Sequence, residues 1–288
     1  MIARARELEQ HVSIVTNGIQ AADLAQANRL AGANSVCVSL DGVGATHDAM
    51  RRRPGAYDRA LRALAALSDA GLQCGASCGV SAHNLDELET VVDSAVGAGA
   101  SFVNFHVVEA AGRALAMGTA ELLDRHSQTV LYVAAHVIAQ AVADSCTVHC
   151  DLLHKRAAAE HPRLLYAGEP ESARGVIGFA SQLGVLVVEP TGLLSPVCYG
   201  FDRSLSLGTL RQAIDSAGRS TFEALPSVMR ALAVAGESVL RELEVDDDWV
   251  VFNPSAELAR VAARAACHVQ RSSIVRTRSP VPAGLQGN

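Results

Sequence analysis

The sequence has 288 residues, 49% hydrophobic and 19% charged, a balance that excludes a disordered chain and allows one large or two modest folded domains. A formal charge of -6 and a pI near 5.9 remove the basic footprint of nucleic-acid or anionic-membrane binding and leave small-molecule or protein partners as the expected ones. No apolar run reaches the roughly 20 residues that span a bilayer, and the N-terminus lacks the apolar core of a signal peptide, so a cytoplasmic protein is expected.

The first 110 residues alternate short β-branched runs with helix-period segments at the spacing of about 25 to 35 residues that βα units require, which predicts a parallel sheet. His11 to Val15 reads as a strand that ends at Thr16, Asn17 and Gly18. Ala21 to Leu30 reads as a helix, and Ser35 to Leu40 as a second strand that ends at Asp41 and Gly42. After Pro54 and Gly55, the spacing of Tyr57, Leu61, Leu64 and Leu67 places one apolar stripe on a helix that Gly71 stops. Leu72 to Val80 is the next strand. Asn84 and Glu87 have the spacing of an N-cap pair ahead of a helix whose stripe is Leu85, Leu88, Val92 and Val96. Ser101 to Val108 is a fourth strand.

From Thr119 to Ser145 the pattern is helical, and Thr147 to Leu153 is a short strand before a polar stretch that ends near Arg174. Leu183 to Val188, the turn Pro190-Thr191-Gly192 and Leu193 to Cys198 read as a β-hairpin. Helical segments then run to about Glu244, and the Ser-, Arg-, Pro- and Gly-rich end is expected to be disordered. The chain therefore divides into a βα region at 1–115, a helical connection at 116–174, a small α+β module at 175–270 and a tail at 271–288. Asp246-Asp247-Asp248 before Trp249 is a carboxylate run read as solvated surface.

In a parallel sheet, ligands sit at the carboxyl ends of the strands, where loops vary and amide groups point inward. Thr16-Asn17-Gly18 and Ser39-Leu40-Asp41-Gly42 occupy such ends, although each is also an ordinary turn sequence. Taken with His47-Asp48, Arg51, Gly55 and Asn84, their order and spacing resemble those of radical S-adenosylmethionine (SAM) enzymes. Gly112-Arg113-Ala114 resembles the segment after that family's sixth strand, and Val188 to Pro196 resembles the hairpin of its SPASM-type extension.

The resemblance implies an incomplete parallel (β/α) barrel with a small SPASM-like α+β extension, and SAM and a 4Fe-4S cluster as cofactors. It implies reductive cleavage of SAM and radical chemistry on a peptide or small molecule. It also assigns ligand roles: Ser39 to SAM's ribose or carboxylate, Thr16 and Asn17 to the cavity, and Asp41 and Arg51 to contact or to bracing. For Asp41 and Arg51, a structural salt bridge is an equal alternative. The family's C-x3-C-x2-C loop and its Gly-Gly-Glu segment are absent from the sequence. The expected start is therefore in the helix after the family's second strand, with a missing N-terminal segment or partner chain and no activity in this chain alone. A non-catalytic binding or scaffold protein of the same fold is the alternative. The one lysine, Lys155, lies outside the predicted strands, which argues against a Schiff-base aldolase.

The seven cysteines, an odd number, form no closed disulfide framework. Cys74 and Cys78 have C-x3-C spacing, but on a strand they share one face and read as small core residues. Cys146 and Cys150, with His149 between them, are weak metal candidates because Leu153 stands where a third ligand is needed. Cys198 stands where SPASM-type extensions carry a cluster ligand, without the usual companion cysteines.

Overall fold

The computed structural model describes residues 2–21, 30, 32–110, 112–165, 185–199, 201–212, 224–246 and 249–264. The helix expected between Ala21 and Leu30, the boundary near Arg174, Asp247, Asp248 and the tail from 271 lie outside the described residues. The chain divides into one unit of residues 1–154 and 248–253 and a second of residues 155–247 and 254–288.

The first unit opens with α1 (Ile2–Glu7) and holds five strands: β1 (Ser13–Thr16), β2 (Ser35–Ser39), β3 (Cys74–Val80), β4 (Phe102–Val107) and β5 (Thr147–Cys150). They form one sheet in the order β1-β2-β3-β4-β5, and every pair is parallel. The sheet is open, with β1 and β5 at its edges. Helices α2 (Ala45–Arg51), α3 (Ala56–Asp69), α4 (Leu88–Gly97) and α5 (Arg125–Ala141) connect the strands. This is the parallel α/β architecture expected from the βα spacing.

Strand alternation explains why the helices cover only one face. Val36, Val38, Leu40, Cys74, Ala76, Cys78, Val80, Val103, Phe105 and Val107 point one way and are buried with Leu64 and Leu67 of α3, Val91 and Val92 of α4 and Leu131 of α5. Each fully buried Val, Leu or Phe contributes about 1.5–3 kcal/mol of apolar transfer free energy, so this layer fixes which strand residues face the other way. The alternate positions, Cys37, Ser39, Gly75, Ser77, Gly79, Phe102, Asn104 and His106, belong to the opposite face.

Two local expectations change. The strand expected from Thr147 to Leu153 is split at Asp151, whose carboxylate accepts the amide of Val107 at 3.2 Å. Beyond it, β6 (Leu153–His154) pairs antiparallel with β9 (Val251–Phe252). Asn84 also makes no side-chain cap bond to the helix that follows it. Its groups are used at the strand ends, described below.

In the second unit, α6 (Lys155–Glu160) precedes a hairpin of β7 (Leu186–Val188) and β8 (Leu194–Pro196). The turn is closed by Gly192 N donating to Glu189 O at 2.8 Å, and Ser195 Oγ donates to the Glu189 carboxylate at 2.7 Å. Helix α7 (Leu225–Val245) buries Val228, Leu232, Ala235, Val239 and Leu243 at helical spacing. A further helix covers 254–264, and its Arg260 pairs with Glu257 and with Glu242 of α7. Among the described residues, no helix is long and apolar enough to cross a membrane.

Candidate functional site

The strand registers align the open face into rows. Ser39 pairs with Ser77, Ser77 with Asn104 and Asn104 with His149, so four polar side chains run across β2, β3, β4 and β5, from the end of β2 through the middle of β3 and β4 to near the end of β5. At about 4.8 Å between strands, Ser39 and Asn104 lie about 10 Å apart. The Ser39 and Ser77 hydroxyls have no hydrogen-bond partner among the described residues, while the Asn104 side chain bonds the Cys37 thiol. Two residues further along is a second row, in which Gly79 pairs with His106, Asp41 reaches Gly79, and His106 reaches Asp151.

The loop after β2 is held by a dense set of bonds. Asp41 Oδ1 accepts the Gly79 amide at 2.9 Å, and Asp41 Oδ2 meets the Arg51 guanidinium of α2 at 2.5 Å. The Asp41 amide donates to His47 Nδ1 at 2.8 Å, which fixes the proton of the neutral ring on Nε2. His47 is 1% exposed, and burial holds its imidazole below the ordinary value. Asn84, fully buried, donates to Asp41 O at 3.0 Å and Gly79 O at 2.9 Å, and accepts the Ser81 amide at 2.8 Å. Glu87 accepts from Val43 N at 2.7 Å and Thr46 Oγ1 at 2.6 Å. Gly42, at φ +137°, fits under this carboxylate because a Cβ there would stand 2.8 Å from Glu87 Oε2. Asp48 accepts the amides of Tyr57 and Gly55, which hold its carboxyl below the usual aspartate range and start α3.

The residues singled out in the sequence therefore separate into two groups. Ser39 is on the open face. Asp41 and Arg51 brace one another and the ends of β2 and β3. Thr16 is not on the open face: it pairs with Val38, which faces the helices, and its Oγ1 accepts the Gly18 amide at 3.3 Å. Asn17 is also used in the turn, accepting the Ile19 amide at 3.1 Å. Sequence reasoning missed Ser77, Asn104, His106 and Asp151, which only the register assembles. A cleft of about 420 Å³ flanks the same loops, lined by Met50, Arg52, His83, Met117 and Glu121 among others, with His83 Nε2 3.0 Å from Glu121 Oε1.

The described cysteines do not fit a 4Fe-4S cluster, which needs three converging thiolates. Cys74 and Cys78 are buried on the helix side of the sheet, where burial pushes both thiols up. Burial pushes Cys37 and Cys150 up to about 11, and Cys146 is buried at the start of β5. Cys198 is half-buried, after Val197 at φ +67° beyond β8. Among the described residues, no three His, Cys, Asp or Glu side chains form a group that would hold a metal.

The family profile of the radical SAM superfamily matches residues 1–95. The sporulation killing factor maturation protein SkfB of Bacillus subtilis is 29% identical over 122 residues, covering 42% of this chain and 28% of that protein. Fe-coproporphyrin III synthase of Methanosarcina barkeri is 32% identical over 94 residues, covering 32% of this chain and 24% of that protein. The matched stretches thus span about a quarter of the length of these curated relatives. Native anSMEcpe, solved with bound AdoMet and Kp18Cys peptide, superposes with a TM-score of 0.47 at 13% identity, covering 92% of this chain and 75% of that chain. The AdoMet-bound form without peptide gives 0.48 at 13% identity, covering 94% and 76%. The family profile falls on β1, β2, β3, their turns and the braced loop after β2, and over that stretch the chain is similar to the radical SAM superfamily.

Proposed function

We propose that the open face of the sheet is the SAM-binding half of a radical SAM protein, and that this chain alone does not cleave SAM. The observation that carries the reading is the row Ser39, Ser77, Asn104 and His149. It is a polar strip about 10 Å from Ser39 to Asn104, running across the parallel strands from the end of β2, on the face the helices leave open. Two hydroxyls and an amide supply donors and acceptors for a ribose. The bonds of Asp41, Arg51 and Asn84 hold the strand ends in place, so these residues position the site.

A cluster supplies the electron for reductive cleavage when one is bound, but the described thiols do not hold one. Its ligands then come from a segment or partner chain beyond those residues. The substrate, a peptide or a small molecule, lies over the same face. Saturation-transfer NMR with SAM tests the reading, because it detects weak binding. Transfer to the ribose and adenine protons, with no stoichiometric iron after anaerobic reconstitution, is expected. No transfer to SAM, or uptake of a full cluster's iron by this chain, overturns it.

A further inference from the structure

The cleft of about 420 Å³ beside the braced loop lies wholly in the first unit, and none of its lining residues belongs to the five strands. Helix α2 lends it Thr46, Ala49 and Met50, and the segments after β3 and β4 lend it His83, Met117 and Glu121. Its volume falls in the range of about 300–1,000 Å³ usual for ligand sites. Arg52 lines it too, directly after α2, in left-handed backbone at φ +52° and ψ +40°. Glycine is the ordinary residue for that conformation at a helix end, and a side chain there is strained. No hydrogen bond or ion pair among the described residues uses the Arg52 side chain, so packing does not account for an arginine at this position.

Glu121 brings the opposite charge. Its Oε2 accepts the Gly118 amide at 2.6 Å and its Oε1 stands 3.0 Å from His83 Nε2, contacts that hold its carboxyl below the usual glutamate range. Each carboxylate oxygen accepts two bonds, so one position on each is left. Met50, Met117 and Ala49 are the apolar lining, and thioether chains adapt to apolar groups of differing shape. A simple aliphatic acid would pair its carboxylate with Arg52 but set its tail against the Glu121 charge. An extended peptide matches the whole lining: an acidic side chain for Arg52, an apolar side chain for the methionines and a backbone N–H for Glu121. We propose that this cleft is a peptide-recognition site that takes an apolar side chain next to an acidic one. The site is separate from the open face of the sheet and stands independently of the SAM reading.

The chain has four methionines, Met1, Met50, Met117 and Met229, so methyl-13C methionine labelling of the full chain gives four NMR signals. Met50→Leu and Met117→Leu identify the two from the cleft. Titration with acetyl-Leu-Asp-Leu-amide is expected to shift both and to leave Met229, buried in the second unit, in place. The same peptide with Asn for Asp is expected to bind about tenfold more weakly, as is the Asp peptide to Arg52→Gln, the loss of one charge-assisted contact. Arg52→Gly is expected to lose the same affinity and to raise the Tm by about 2–4 °C, because it relieves the left-handed strain; a merely structural arginine would lower the Tm instead. No shift of either cleft methyl up to millimolar peptide overturns the proposal. Equal affinity for the Asn peptide overturns it as well, and so does octanoate that shifts the two methyls as tightly as the Asp peptide.

Discussion

Replacing Asn84 is the sharpest test of how the site is held. The side chain is fully buried and joins three backbone groups: the carbonyls of Asp41 and Gly79 and the amide of Ser81. Asn84→Ala leaves all three without that partner. Each unsatisfied buried group costs about 1–3 kcal/mol, so even the low end gives a loss of about 3 kcal/mol. At about 2–4 °C per kcal/mol for a chain of this size, the Tm falls by about 6–12 °C. Asn84→Asp keeps the volume and the acceptor for Ser81 but removes the donor and turns a charge toward two carbonyls, so it is at least as destabilised at pH 7. Thermal and urea unfolding followed by circular dichroism give both numbers. A loss below about 1 kcal/mol for Asn84→Ala, or an Asn84→Asp variant as stable as wild type, refutes the account of these bonds.

Other substitutions test separate parts of the structure. A Cβ at Gly75 would stand 2.3 Å from Phe102 O, whereas at Gly79 its nearest neighbour is Val108 Cγ2 at 3.3 Å, so Gly75→Ala costs about 2–3 kcal/mol and Gly79→Ala under about 1. Equal urea midpoints for the two variants contradict this packing. Because burial lowers the folded-state value of His47, the unfolded chain binds its proton first. Stability is therefore lost as pH falls from about 6.5 toward the lowered folded value, and His47→Gln, measured against wild type between pH 7 and 5, shows a shallower loss. An identical slope removes His47 from the account. Native iodoacetamide labelling leaves Cys37, Cys74 and Cys78 unmodified until denaturant is added; rapid native alkylation of Cys78 would show that the helix-side core is not closed.

Local chemistry made much of this fold legible. The Ser-Val-Cys-Val-Ser alternation of β2, the stripe containing Leu64 and Leu67, and the turn signals at Gly18, Gly42 and Gly71 all mark structure within a few residues of themselves. The face assignments were harder, because they depend on register. Thr16 stands one residue past the strand expected at His11 to Val15, and a one-residue change moves a side chain to the opposite face. Asn84 had the spacing of a cap, but the carbonyls it serves are at Asp41 and Gly79, and the Asp41 contact is 43 residues away in sequence. His106 and Asp151 are likewise separated by α5, and no local pattern links them. The Ser77 and Asn104 positions carried no signal as isolated residues; they become a row only when β2, β3, β4 and β5 are laid side by side.

The most direct measurement is a SAM titration followed by NMR, comparing two substitutions on opposite faces of the sheet. The account predicts that the double substitution Ser39→Val with Ser77→Val weakens SAM binding by about tenfold or more, roughly the loss of two hydrogen bonds, while Thr16→Val leaves it within about twofold. Equal effects from the two faces, or a loss only with Thr16→Val, would contradict the assignment of the open face as the SAM site.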